Sequence, residues 1–305
     1  MRKTLIATAV AGLVSLPSVV MAQAAAPAAA PASPHSITGN LGIYSSYRFR
    51  GIDQTFGKPA LQGGIDYSHS SGIYLGNWNS NVSEGAGFPD ANLEMDFYGG
   101  YKFSAGDFGF DVGAIYYYYP GSDAGVGTPF SPANNKSGRV HGGGVSNTEL
   151  YVGATWKFLS AKYYYSVDDY FSAPDTDGSS YFDLSATYDL GSGWGINGHV
   201  GYLDFDNMRN ASYTDWKIGV TKDVGGWLFG LSYVDTNADG SCNKGQFYCF
   251  ANSSGNDTKD AGRGIAVVSR VGKRQHKRVK HAPKHGSKWC RVPAHRNTVH
   301  AQHNE

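Results

Sequence analysis

Charged residues in this chain recur at a spacing of two. Arg48 and Arg50, Glu94 and Asp96, and Asp215 with Lys217 are each separated by one residue. In an extended strand that spacing puts both members on the same face. Acids and bases lined up on one face of several strands would set a transverse electric field and act on polar or ionic solutes. The candidates for such a lining are Arg48, Arg50, Asp66, Glu94, Asp96, Lys102, Asp111, Glu149, Lys157, Lys162, Asp183, Asp189, His199, Asp215 and Lys217. Arg48 and Arg50 are expected on the first strand, sharing a face with Tyr44. The plainer reading is that these charges pair across a filled interior and only hold the fold together.

Other chemistry is thinner. No Gly-x-Ser-x-Gly elbow, His-x-x-x-His pair or P-loop occurs. A hydrolase built on a histidine and a serine two residues away fails at His199, which is followed two later by Gly201, and His69 sits in a turn between Ser68 and Ser70. The expectation is therefore no enzyme, no catalytic residue and no cofactor. Asp235, Asn237, Asp239 and Gly240 match the first half of a calcium loop, but the twelfth position is Gln246 rather than the bidentate glutamate, so no metal is expected. Cys242 and Cys249 have six residues between them and, in an oxidising compartment, are expected to form a disulfide, with Cys290 left over.

The elements that carry these residues follow a period of two. Leu93, Met95, Phe97, Gly99, Tyr101 and Phe103 alternate with Glu94, Asp96, Tyr98, Gly100 and Lys102. Phe108 to Tyr119 and Glu149 to Phe158 behave alike. Segments of this kind are expected at 39–50, 60–68, 72–82, 93–103, 107–119, 147–158, 159–167, 179–190, 193–204, 213–222, 226–235 and 261–269. Short turns, such as His69-Ser70-Ser71 and Gly191-Ser192, alternate with long connections, such as Gly51 to Pro59 and Pro120 to Ser146. One apolar face, one polar face and alternating loop lengths predict an all-β fold, a transmembrane antiparallel up-and-down β-barrel of about twelve strands. A soluble barrel or sandwich is the competing architecture. It would need a partner layer for the aromatic face. Lipid offers no hydrogen-bond partners, so the sheet must close. Glycine, 41 of 305 residues, is about twice as common as usual.

Export fits this architecture. Arg2 and Lys3, an uncharged run from Thr4 to Val20, and Val20-Met21-Ala22 read as a cleaved signal peptide over 1–22. An Ala/Pro-rich linker over 23–37 precedes the barrel at 38–269. The expected location is the outer membrane of a Gram-negative bacterium. The expected partners are outer-membrane lipid, small polar solutes and the barrel-assembly machinery, with no nucleic acid in the native role. A conducting pore leads; a structural barrel without a pore and an outer-membrane hydrolase follow.

The stretch Ser45-Ser46-Tyr47-Arg48-Phe49-Arg50-Gly51-Ile52-Asp53-Gln54-Thr55, continuing from Gly57 through Tyr67, resembles the TorF-family porins, proteobacterial outer-membrane proteins. Ser70 to Trp78 and Glu94 to Tyr101 fit the same pattern, and the likeness covers nearly all of 38–269. It implies an outer-membrane barrel and names no solute. The end departs from the pattern: from Arg270 to Glu305 the chain carries a net charge of +9, leaving −8 for the rest of a chain whose total is +1. The expectation for 270–305 is a basic, disordered tail produced by a shifted reading frame. A natural tail that binds acidic lipid or nucleic acid is the alternative.

Overall fold

The computed structural model describes residues 33–83, 91–123, 143–251 and 258–273. The signal peptide, most of the linker, the centre of the Pro120–Ser146 connection and the tail beyond Lys273, with Cys290, lie outside the described residues.

Twelve strands close into an antiparallel barrel. Its wall runs β1 (His35–Tyr44), β4 (Ala60–His69), β5 (Ile73–Asn81), β6 (Leu93–Ala105), β7 (Phe108–Tyr118), β8 (Ser146–Trp156), β9 (Leu159–Ser166), β10 (Ser180–Gly191), β11 (Trp194–Asp204), β12 (Tyr213–Val224), β13 (Trp227–Thr236) and β16 (Ile265–Lys273). Each wall strand pairs with its neighbours in sequence, and β16 returns to β1 to seal the cylinder. Two small hairpins lie outside the wall order: β2 (Arg48–Phe49) with β3 (Ile52–Asp53), and β14 (Cys249–Ala251) with β15 (Thr258–Asp260).

The period of two explains which face goes where. Leu41, Ile65, Leu75, Phe97, Val152, Leu184, Ile218 and Leu231 point outward and are 41–62% exposed. Their neighbours Asp66, Glu94, Glu149, Asp183 and Asp215 point inward and are at most 5% exposed. Large apolar side chains facing out and charges facing in are the inverse of a water-soluble protein and the arrangement a lipid-spanning sheet requires.

Turn chemistry sets the two rims. Ser192-Gly193 and Gly225-Gly226 link consecutive strands with both residues at positive φ, the two-residue turn whose twist matches the strands. Lys157-Phe158 is also a two-residue link, with Lys157 at φ 55° in a position glycine would normally hold. That is why the junction at 158–159 is hard to place from residue types. These short links share a rim with the start of β1 and the end of β16. The long connections occupy the other rim.

Much of the glycine content has a packing cause. The rings of Tyr98, Tyr74, Tyr151 and Tyr181 lie across the inner wall over Gly76, Gly100, Gly113 and Gly201, where a β-carbon would collide with them. Each tyrosine hydroxyl then reaches a buried polar partner. Tyr98 donates to Asp66 at 2.5 Å, Tyr74 to Asp111 at 2.6 Å and Tyr181 to Asp215 at 3.0 Å, while Tyr151 meets Tyr74.

Candidate functional site

The first long connection does not stay at the rim. After Tyr44 the chain bends at Ser45-Ser46, enters the barrel mouth and forms the hairpin β2–β3. Arg50 and Gly51 make its tip, at φ 49° and 79°. This is a type I′ turn, and it forces an arginine into a conformation that costs a non-glycine residue energy. The expected strand 39–50 therefore ends at Tyr44, and Arg48 and Arg50 are not wall residues: they belong to an inserted plug. Alternation through Arg48, Phe49 and Arg50 looks like a strand because it is one, but a two-residue strand of its own.

Arg50 latches the plug to the wall. Its Nη1 and Nη2 donate to Glu149 Oε1 and Oε2 at 2.8 and 2.7 Å, a bidentate pair, and Nη1 also donates to the Tyr170 hydroxyl at 2.9 Å. The guanidinium carbon stands 4.2 Å from the ring centre of Tyr181 and 4.7 Å from that of Phe49. Arg50 is 4% exposed and Glu149 not at all. Burial pulls the Arg50 pKa down, and the facing Glu149 carboxylate more than reverses this, so the group is held well above its ordinary value. Tyr213 donates to the Arg50 carbonyl at 2.8 Å.

Arg48 anchors the other side. Its Nη1 donates to the carbonyls of Gly51 at 3.2 Å and Ala261 at 2.9 Å. Asp53 lies 4.0 Å from its Nη2, and Lys259 pairs with that same carboxylate. Burial lowers the Arg48 pKa, and Asp53, Asp235 and Asp260 offset this only in part. Tyr47 closes the base of the plug by donating to Glu94 at 2.7 Å and packing edge-on to Trp78 at 5.4 Å.

Three further connections bring apolar side chains to the plug. Tyr170 and Phe171, Phe205, and Phe247 and Tyr248 are all buried with it in one cluster. Phe171 meets Phe49 at 5.7 Å, Tyr170 meets Phe205 at 4.8 Å, and Tyr248 meets Tyr213 at 5.1 Å. Burial raises the Tyr170 pKa although Arg50 pulls it back, so that hydroxyl stays a neutral partner. None of these aromatics is singled out by residue type; only their placement on long connections, in a chain with 21 tyrosines, hints at an inward role.

The disulfide Cys242–Cys249 closes the loop that presents Phe247 and Tyr248. Tyr248 donates to the Ala211 carbonyl at 2.5 Å. In the chain-entropy picture a ring of this size is worth about 2.5 kcal/mol. Cys242→Ser is expected to increase protease cutting within 241–250 while the thermal transition of the wall stays in place, as limited proteolysis and circular dichroism would report. The calcium-like motif beside it is tied up internally. Gln246 Nε2 donates to Asp239 Oδ1 at 3.2 Å, Gln246 Oε1 accepts from Ser241 N–H at 2.8 Å, and Asn237 Oδ1 accepts from Thr214 N–H at 2.7 Å. Among the described residues no cluster of three or more His, Cys, Asp or Glu is arranged to hold a metal.

The remaining candidates divide into three groups. Asp66, Glu94, Asp96, Asp111, Glu149, Asp183, His199 and Asp215 are buried on the inner face, and Lys102, Lys162 and Lys217 are half-buried there. Lys162 pairs with Asp111 at 3.0 Å and lies over Tyr151, while Lys102 lies over Tyr74. Lys157 departs from expectation, and Asp189 keeps the inward face only at its edge. Lys157 is in the turn after β8 and lies over the ring of outward-facing Trp156, because the strand ends two residues earlier than alternation suggests. Asp189 is exposed near the short-turn rim and accepts the Gly191 N–H at 2.8 Å, a turn-holding role. His69, expected in a turn, is the last residue of β4 and contacts Ser71 at 2.8 Å.

The family model that matches residues 28–258 describes a bacterial protein of unknown function, Gcw_chp. This chain belongs to that family. The match takes in the plug, eleven of the wall strands and the disulfide loop. Among solved structures, the Gcw_chp chain is similar to the KdgM porin at 8% identity, with 78% of this chain and 99% of that chain covered and a TM-score of 0.44. It is similar to the NanC porin at 10% identity, with 78% and 100% covered and a TM-score of 0.47. It is similar to the COG4313 outer membrane channel from Pseudomonas putida F1 at 11% identity, with 79% and 95% covered and a TM-score of 0.38. Comparison with curated proteins gives no match.

Proposed function

We propose that this chain is a porin-like channel of the Gram-negative outer membrane, of the TorF type, passing small polar solutes around or past a latched plug. The observation that carries the reading is the contrast between the two halves of the lumen. Toward the short-turn rim the inner face is lined by exposed Ser36, Thr38, Ser104, Thr155 and Thr187. Toward the long-loop rim the same face is covered by a hairpin whose tip is held by the buried Arg50–Glu149 pair and whose sides are held through Arg48, Asp53 and Tyr47. A barrel needed only as a membrane scaffold has no use for a polar, water-accessible vestibule beneath a separate insert.

In this reading residues 1–22 direct export, the linker expected at 23–37 ends at Pro34, where β1 begins, and the short-turn rim faces the periplasm. The barrel-assembly machinery inserts the wall into outer-membrane lipid; the basic stretch that starts at Arg270 first completes β16 through Lys273 and then continues from 274 as a tail beyond the wall. A second reading, a barrel without conduction, draws support from the depth of burial around Arg50 and Glu149.

Planar-bilayer recording separates the two. The refolded chain is expected to give discrete current steps, and a variant with residues 47–55 replaced by a short Gly/Ser link is expected to give larger ones. If inserted barrels of both forms carry no current, the channel reading fails.

A further inference from the structure

His199 stands where the plug meets the wall. It lies on β11 between two acids on the adjoining strands. Its Nδ1 is 2.8 Å from Asp183 Oδ2, and its Nε2 is 3.2 Å from Asp215 Oδ1, at an angle poorer than a strong hydrogen bond needs. All three side chains are at most 3% exposed. Ser185 donates to Asp183 Oδ1 at 2.5 Å and Tyr181 donates to Asp215 Oδ2 at 3.0 Å, so each acid also has a neutral donor. The other charges around the group are Lys217, opposite His199 in the β11–β12 register, Lys162, opposite Asp183 in the β9–β10 register, and Arg50 of the plug, stacked on Tyr181.

The plug tip rests on this group. Gly51 packs so closely on Asp215 that a β-carbon there would lie 2.7 Å from that of Asp215. Tyr181, which serves Asp215, is also the ring under the Arg50 guanidinium. A movement of Asp215 is therefore a movement of the seat of the plug.

The proton count of His199 decides whether the seat is comfortable. A charged imidazole has two N–H donors and can serve both acids, whereas a neutral one has a single donor and turns a lone pair toward the other carboxylate. In a buried site that repulsion is not screened by water. We propose that protonated His199 locks the plug in the barrel mouth, and that loss of this proton to solvent unseats it. The sign follows from linkage. The seated state holds the extra proton, so acid favours it, and the ratio of seated to unseated plug falls as pH rises, by at most about tenfold per pH unit for one proton. The inference rests on the channel reading only for its consequence on current.

Hydrogen exchange of the amides at 47–55 in the detergent-refolded full chain, corrected for intrinsic rate, tests it from about pH 5 to about pH 8. In the unaltered chain protection should fall with pH, approaching tenfold per unit where the proton is lost. In His199→Gln and in Asp215→Asn it should be flat. Protection that does not vary in the unaltered chain, or a variant that keeps its slope, overturns the proposal. Should His199→Gln not fold, the unaltered chain and Asp215→Asn, which retains a group to accept from Tyr181, still decide. Bilayer current recorded in parallel keeps the two readings apart. A pH-dependent plug in a barrel that never conducts removes the channel and leaves the lock. A conducting barrel with pH-independent protection removes the lock and leaves the channel.

Discussion

Replacing Arg50 by alanine should free the first loop from the barrel mouth and raise single-channel conductance several-fold. The substitution deletes both hydrogen bonds to Glu149 and the one to Tyr170, leaving Glu149, among the described residues, to the Tyr117 hydroxyl at 3.2 Å. An orphaned buried charge of this kind costs about 3–5 kcal/mol. A wall strand cannot leave the membrane to hydrate it, but a loop can leave the mouth and let water in. The cost should therefore appear as plug release rather than as unfolding. Arg50→Lys should release it partly, because an ammonium cannot make the bidentate pair. Adding Glu149→Gln to Arg50→Ala removes the orphan charge and should recover part of the seating, a coupling that a double-mutant cycle reads directly. Conductance unchanged in Arg50→Ala would mean that the plug is not the obstacle to current.

An arginine on the outer face should be the most damaging change in the wall. Val152 sits mid-strand in β8, opposite Val112 and Tyr163, and is 51% exposed. If that exposure is to lipid, Val152→Arg should cost about 2–4 kcal/mol near the bilayer midplane and sharply lower the fraction inserted into vesicles. Thr155→Arg, on the inner face of the same strand, should insert normally. Equal behaviour of the two variants would contradict a lipid-facing exterior. Heat-modifiable gel mobility provides the measurement.

How much of this was legible before folding depends on what each feature obeys. The wall strands obey a period of two, and from β4 to β13 they lie within a few residues of the segments alternation marks out. Sheet closure follows from the chemistry of lipid, so it too could be anticipated. The plug obeys neither rule. Ser45-Ser46 carries no unmistakable turn signal, and Arg50 occupies a backbone conformation its residue type does not advertise. Lys157 defeats prediction for the same reason. Acids on the inner face were recognisable as such, but their partners were not, since Arg50 and Glu149 are 99 residues apart and meet only through the curvature of the closed wall. The tyrosine and glycine excess is visible as composition, yet its meaning, one ring laid over one missing side chain on the next strand, needs the register.

The plug begins at the first loop, yet Arg48 is held by the carbonyl of Ala261, 213 residues further on, and the Asp53 N–H donates to that same carbonyl at 3.0 Å. Contacts between such distant parts of a chain form late, because the intervening polymer must be ordered first. Synthesis order and locking order are thus reversed: an early segment waits for nearly the last one. Until the connection that carries Ala261 has folded against the barrel, the first loop lacks the carbonyl that fastens both Arg48 and Asp53.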